Sequence, residues 1–282
     1  MGSPPEPPRC LLSGDPQPEP EPQPGAITLE MLEREEGNSS SGGEDDEEEE
    51  EEDGDGSAGA REEREQARLL RYWQGVGRGH RVDVPSDMAQ PIQQMTRNNH
   101  LQERESVPFT LINRKEKFGE VLYERRHYGK AKWACVKVQE EQYEQSICLG
   151  FMKIMRYICE QNSSGLFLGM TVPIVTIVHL GENSPDITRL VTVAYRLPSG
   201  LQDQPPEPYD PEVVIEEWAP AMIYARGFRG ATNEDSIARE INLLADLLEH
   251  PELCLQDTFI VAGYTNPAAT NRQNEIWFLE KP

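Results

Sequence analysis

Few side chains in this 282-residue chain have the types and spacings that chemistry requires. The five histidines (His80, His100, His127, His179 and His250) are scattered, and no two stand at the spacing that grips zinc. The five cysteines, Cys10, Cys135, Cys148, Cys159 and Cys254, are odd in number and contain no C-x-x-C pair, which suits reduced, buried thiols. A phosphate-binding loop, a dinucleotide glycine signature, a G-x-S-x-G elbow and an H-E-x-x-H motif are all missing from the sequence. Glu124, Glu216 and Glu217 stand in strand-like runs, where ion pairing explains them better than acid–base work. No enzyme is expected. One short run mixes flexible apolar groups with cations: Phe151, Met152, Lys153, Met155 and Arg156.

That run belongs to a helix-patterned segment, 144–159. At 100° per residue, Ile147, Cys148, Phe151, Met152, Ile154, Met155, Ile158 and Cys159 fall on one arc of about 160°. Lys153, Arg156, Tyr157 and Glu160 occupy the other side, so the helix lays one face on a sheet. A second helix is expected over 236–249, with a capping box at Thr232–Asp235 and a stop before Pro251. Its stripe is Ile237, Ile241, Leu244 and Leu248. Around these helices the chain repeats itself. Strand-like runs at 119–137 precede the first helix, and 172–179 and 190–197 follow it. Runs at 213–216 and 222–226 read as a strand pair before the second helix, and 258–264 and 275–279 follow that one. Two strand–strand–helix–strand–strand units make a duplicated α+β body.

The charge is uneven. Residues 1–60 carry 19 acidic side chains and 2 arginines, and 44–53 are ten consecutive carboxylates. This Pro-rich, acidic stretch is expected to be disordered. Its one apolar island, 27–32, reads as solvated linker, with a short partner-binding helix as the alternative. Residues 61–106 are expected to form a short helix, 61–74, ended by the glycines at 75–79, and then a long arm packed only in part on the body. The body should span 107–282. No basic stripe suits a nucleic acid, and no apolar run spans a membrane. The N-terminus lacks a signal-peptide h-region, and Glu6 stands where myristoylation wants Ser or Thr. A cytoplasmic protein is expected, in which the sequons at Asn38 and Asn162 carry no meaning.

Four blocks carry a resemblance: the YERRHYGKAKWA run at 123–134, GMTVPI at 169–174, PP-x-P at 205–208 and AGYTNPAATNRQNEIWFLEK at 262–281. Their order and spacing resemble the SOUL family of haem-binding proteins over roughly 107–282. The resemblance implies a distorted antiparallel β-barrel of about eight strands flanked by two helices, with an internal pseudo-twofold repeat. It also implies non-covalent binding of haem or another tetrapyrrole, with no catalytic reaction. His127 matches a proposed axial ligand in one branch of the family, whereas another branch lacks that histidine.

For such a ligand, Phe151, Met152 and Met155 would offer apolar contact, Lys153 and Arg156 would meet the propionates, and His127 would reach the metal. The reading is a carrier or buffer of haem in a shallow apolar groove. The alternative is an apoptosis-related interaction module using the barrel and the acidic N-terminal arm, with a protein partner for the tail. The second helix, through Ile237, Ile241, Leu244, Asp246 and Leu248, fits the spacing of helices that dock in anti-apoptotic grooves. The same apolar residues are needed for the core, and core packing is the stronger reading.

Overall fold

The structure, a computed structural model, describes residues 58–101, 104–181, 184–187, 190–265 and 271–281. The acidic run and the 27–32 island lie outside the described residues. In chain order the elements are α1 (Ala58–Gly79), α2 (Ala89–Leu101), β1 (Glu105–Ser106), β2 (Phe109–Lys117), β3 (Glu120–Tyr128) and β4 (Ala131–Gln139). Helix α3 (Tyr143–Ile158) leads to β5 (Thr171–Val172), β6 (Ile174–Gly181), β7 (Ser184–Ile187) and β8 (Leu190–Arg196). The second half holds β9 (Val213–Trp218), β10 (Ala221–Arg229), α4 (Glu234–Leu247), β11 (Cys254–Gly263) and β12 (Gln273–Glu280). No helix among them is long and apolar enough to cross a membrane.

Nine strands form one antiparallel sheet in the order β2-β3-β10-β12-β11-β6-β8-β4-β9, with β7 added beside β6. From β3 to β9 this order is a palindrome about the β11–β6 ladder, so the two sequence units are related strand by strand. The apolar runs β6 and β11 sit at its centre. The expected pairing of 213–216 with 222–226 does not occur. Strand β9 pairs with β4, and β10 pairs with β3, so each unit lends its first strand to the other. The two-residue links explain this. A hairpin needs a primed turn with positive φ. Pro220 fixes φ near the negative value of its ring, and Gly129 does not adopt a positive φ. At the β2–β3 link, by contrast, Phe118 and Gly119 have φ of 53° and 85°, and those strands do pair.

The closed barrel is corrected to an open sheet. Among the described residues no ladder joins β2 to β9. Strand β2 is exposed at every position, and Arg114, Lys115, Glu116 and Lys117 place charge on both of its faces. Neither face could line a closed interior, and charge on an edge strand discourages further pairing.

The helices cover one face of the sheet, burying Val136, Val178, Val193, Leu244 and Ile276 completely or nearly so. Helix α4 is capped by Asn233 rather than Thr232: Ser236 N donates to Asn233 Oδ1, and Asn233 N donates to Ser236 Oγ, both at 2.9 Å. Its stripe of Ile237, Ile241, Leu244 and Leu248 is core, as its spacing demanded. The other face curls over a second core in which Trp133 stacks on Trp218 and Tyr128 meets Trp277. Beside it, Arg126 donates two bonds of 2.8 Å to Glu275 and one of 2.7 Å to Glu124, which also accepts from Arg114. Glu217 pairs with Lys130, and Glu216 accepts from the Trp218 indole.

Candidate functional site

The arm differs most from expectation. Helix α1 runs on through Gly75 and Gly77 to Gly79, and residues 89–101 form a further helix. Met88, Ile92 and Met95, at helical spacing, are buried against the body. Arg97 ties the two arm helices together through Glu62 at 2.8 Å and Glu65 at 3.0 Å. The hydrogen bond from Arg97 is the main cause holding the Glu65 carboxyl below its ordinary range. Arg156 of α3 donates to both Asp87 oxygens at 3.0 Å, and Gln94 donates to Glu160 at 2.8 Å. The arm is therefore fastened to α3 on both sides of its apolar contact.

Between arm and body lies a cleft of about 1140 Å³, open solvent at its mouth included. Helix α3 supplies Ile147, Phe151 and Met155, the arm supplies Trp73, Ile92 and Met95, and the sheet side supplies Met170, Ile174 and Val261. Three methionines give this lining an adaptable, polarizable surface.

Charge gathers at particular points of the lining. His80 Nδ1 stands 2.7 Å from Glu144 Oε2, and Arg272 stands 3.6 Å from the other Glu144 oxygen. Arg104 also lines the cleft and donates to the Tyr264 carbonyl at 3.5 Å. The Tyr143 hydroxyl is buried beside the Thr176 side chain, and burial pushes its pKa up. Burial likewise pushes the Cys148 thiol up to about 11, so it is un-ionised at neutral pH.

Of the six residues nominated from sequence, Phe151 and Met155 line this cleft, and the other four do not. Met152 is half-buried on α3. Lys153 is paired with Glu212 and Arg156 with Asp87, and neither reaches the cleft lining. His127 lies inside β3, half-buried between Thr110 and Met222 of the neighbouring strands. Sequence reasoning missed Trp73, His80, Met95, Arg104 and Arg272 as members of the site. The Met88–Ile92–Met95 spacing was a readable signal for the arm helix. For Arg104 and Arg272 no local pattern exists, since tertiary folding alone brings them together.

The profile of the SOUL heme-binding protein family matches residues 104–279, well over half of the chain. The chain belongs to the SOUL family. Heme-binding protein 2 of Homo sapiens is 32% identical over 161 residues, 56% of this chain and 78% of that protein. Heme-binding protein 1 of Mus musculus is 30% identical over 188 residues, 66% of this chain and 98% of that protein. Heme-binding protein 1 of Bos taurus is 28% identical over 187 residues, 66% of this chain and 97% of that protein. The SOUL match begins at residue 104, so α1 and α2, which close one side of the cleft, precede it.

Proposed function

We propose that this SOUL protein binds a tetrapyrrole, haem foremost, in the cleft between the arm and α3, and carries or buffers it without transforming it. The observation that supports this best is the composition of the cleft: a methionine-rich and aromatic lining with Arg104 and Arg272 beside it. A flat apolar macrocycle gains from burial against such a surface, and two carboxylates gain from two guanidinium groups. When bound, haem would supply an iron centre able to take a further donor from the protein. Phe151 and Met155 hold the ring, Arg104 and Arg272 orient its propionates, and the arm keeps bulk water away.

Titration of the full chain with haemin tests this. Saturable one-to-one quenching of tryptophan fluorescence, with a shifted Soret band, is expected. Replacing Arg104 and Arg272 together by Ala should weaken binding at least about tenfold, since each charge-assisted contact is worth roughly 1.5–3 kcal/mol. Unsaturable binding, or equal affinity in the double variant, would count against the cleft.

A second reading, an interaction module, draws support from the edge strand β2. Phe109, Leu111 and Ile112 are exposed there, and Phe118 beside it is 96% exposed. An apolar partner surface would meet these side chains rather than extend the sheet.

A further inference from the structure

The lining contains one imidazole among the described residues, that of His80, and it stands outside the SOUL match. Its place is fixed by the end of α1. His80 N donates to Gly77 O at 2.9 Å and Val82 N to the same oxygen at 2.8 Å, while Arg81 takes a φ of 56°. A Cβ on Gly77 would come within 2.6 Å of the Val82 carbonyl oxygen, so only glycine lets the chain fold back this tightly. The turn brings His80 over the first turn of α3, where Glu144 waits at 2.7 Å from Nδ1.

Glu144 Oε2 contacts Nδ1 as an ion pair, without the alignment of a hydrogen bond, while Nε2 has no hydrogen bond among the described residues. A carboxylate beside one ring nitrogen favours metal binding through the other. Competing donors in the cleft are weaker. Met95, Met155 and Met170 offer thioethers, and Cys148 holds its proton at neutral pH. The described residues contain no group of three or more His, Cys, Asp or Glu able to hold a bare metal ion. An imidazole placed alone suits a metal that arrives with its other ligands, as macrocyclic iron does.

We infer that His80, oriented by Glu144, is the axial ligand that the arm delivers to the iron of a haem held in the cleft. The inference rests on the tetrapyrrole reading above. Coordination places the Nε2 lone pair on the iron in place of a water molecule, and no proton or electron moves. Ligation thereby links cargo binding to arm docking, because the donor lies on the arm and its carboxylate on the body.

The test compares haemin with iron-free protoporphyrin IX on the full chain. His80→Ala should shift the Soret band and weaken haemin at least about tenfold, and Glu144→Gln should weaken it by about tenfold, the usual range for losing an outer partner being about 10–100-fold. Protoporphyrin affinity should fall far less than haemin affinity in both variants, and added free imidazole should restore the haemin spectrum of His80→Ala. His80→Gln, which retains a donor for Glu144, should show the same spectral shift with the arm still docked. If wild type binds both macrocycles and His80→Ala alters neither haemin spectrum nor affinity, the axial assignment is wrong while the cleft stands. If the variants lose both macrocycles equally, His80 is a structural residue only. If wild type binds neither, the cleft reading itself falls.

Discussion

At the residue scale, the groups able to react are mostly restrained by their surroundings. Cys148 lies in the cleft, yet burial raises its pKa to about 11. Alkylation of Cys148 in the folded chain should therefore be slow at pH 7.5 and accelerate only as pH approaches that value, which mass spectrometry of tryptic peptides would follow. Rapid labelling at neutral pH would show that the thiolate is accessible. The Arg126–Glu275–Glu124 network is structural. Burial raises the Glu124 pKa, but bonds from Arg126 and Arg114 outweigh this and leave the carboxyl below its ordinary value. Glu275→Gln removes one partner from a buried guanidinium and should cost about 3 kcal/mol, the lower end for a broken buried pair, because Glu124 remains. Urea denaturation would measure it, and a change under 1 kcal/mol would mean that the pair behaves as a surface one. The residue types around the site were partly legible in the sequence. Phe151 and Met155 followed from helical spacing, whereas the face expected to be wet is covered: Lys153 and Arg156 are half-buried against carboxylates, and Tyr157 is buried. Partners distant in sequence, such as Glu212 for Lys153 or Glu144 for His80, leave no local pattern.

At the scale of elements, helices were legible because their buried stripes recur every three or four residues. The expected 144–159 helix is displaced by one residue at each end, and the 236–249 helix starts earlier because Asn233 and Ser236 form the cap. The arm was underread: Met88, Ile92 and Met95 are few apolar positions in a polar stretch, but all three are buried. Ile92→Ala should destabilise the protein by about 2–5 kcal/mol and weaken macrocycle binding with it. A loss below 1 kcal/mol in urea denaturation would mean that the arm is not part of the core. The α1–α2 contact should also respond to acid. Glu65 has its folded pKa lowered from 4.5, so its contribution is full above that value and disappears as pH falls through the lowered pKa. Amide protection in α1 and α2, after correction for the intrinsic pH dependence of exchange, should therefore fall below about pH 4, and Arg97→Ala should remove the step. Protection factors unchanged with pH would assign the contact no electrostatic share.

At the scale of the whole molecule, the duplication was visible in the order of strands and helices, but the pairing between units was not. Chain neighbours usually pair in space, and only the Ala219–Pro220 link argued locally against it. The result is a sheet whose halves interlock through β3–β10 and β4–β9, leaving the charged β2 as an open edge. One face takes α3, α4 and the arm, and the cleft opens where arm, α3 and the ends of β6 and β11 meet. The central claim is that this junction holds the tetrapyrrole. Amide hydrogen exchange of the full chain, with and without one equivalent of haemin, tests it most directly. The account predicts new protection in α2 around Ile92 and Met95, along the first half of α3, and at the Val261–Gly263 end of β11. Protection centred instead on β3 around His127, with α2 and β11 unchanged, would contradict it.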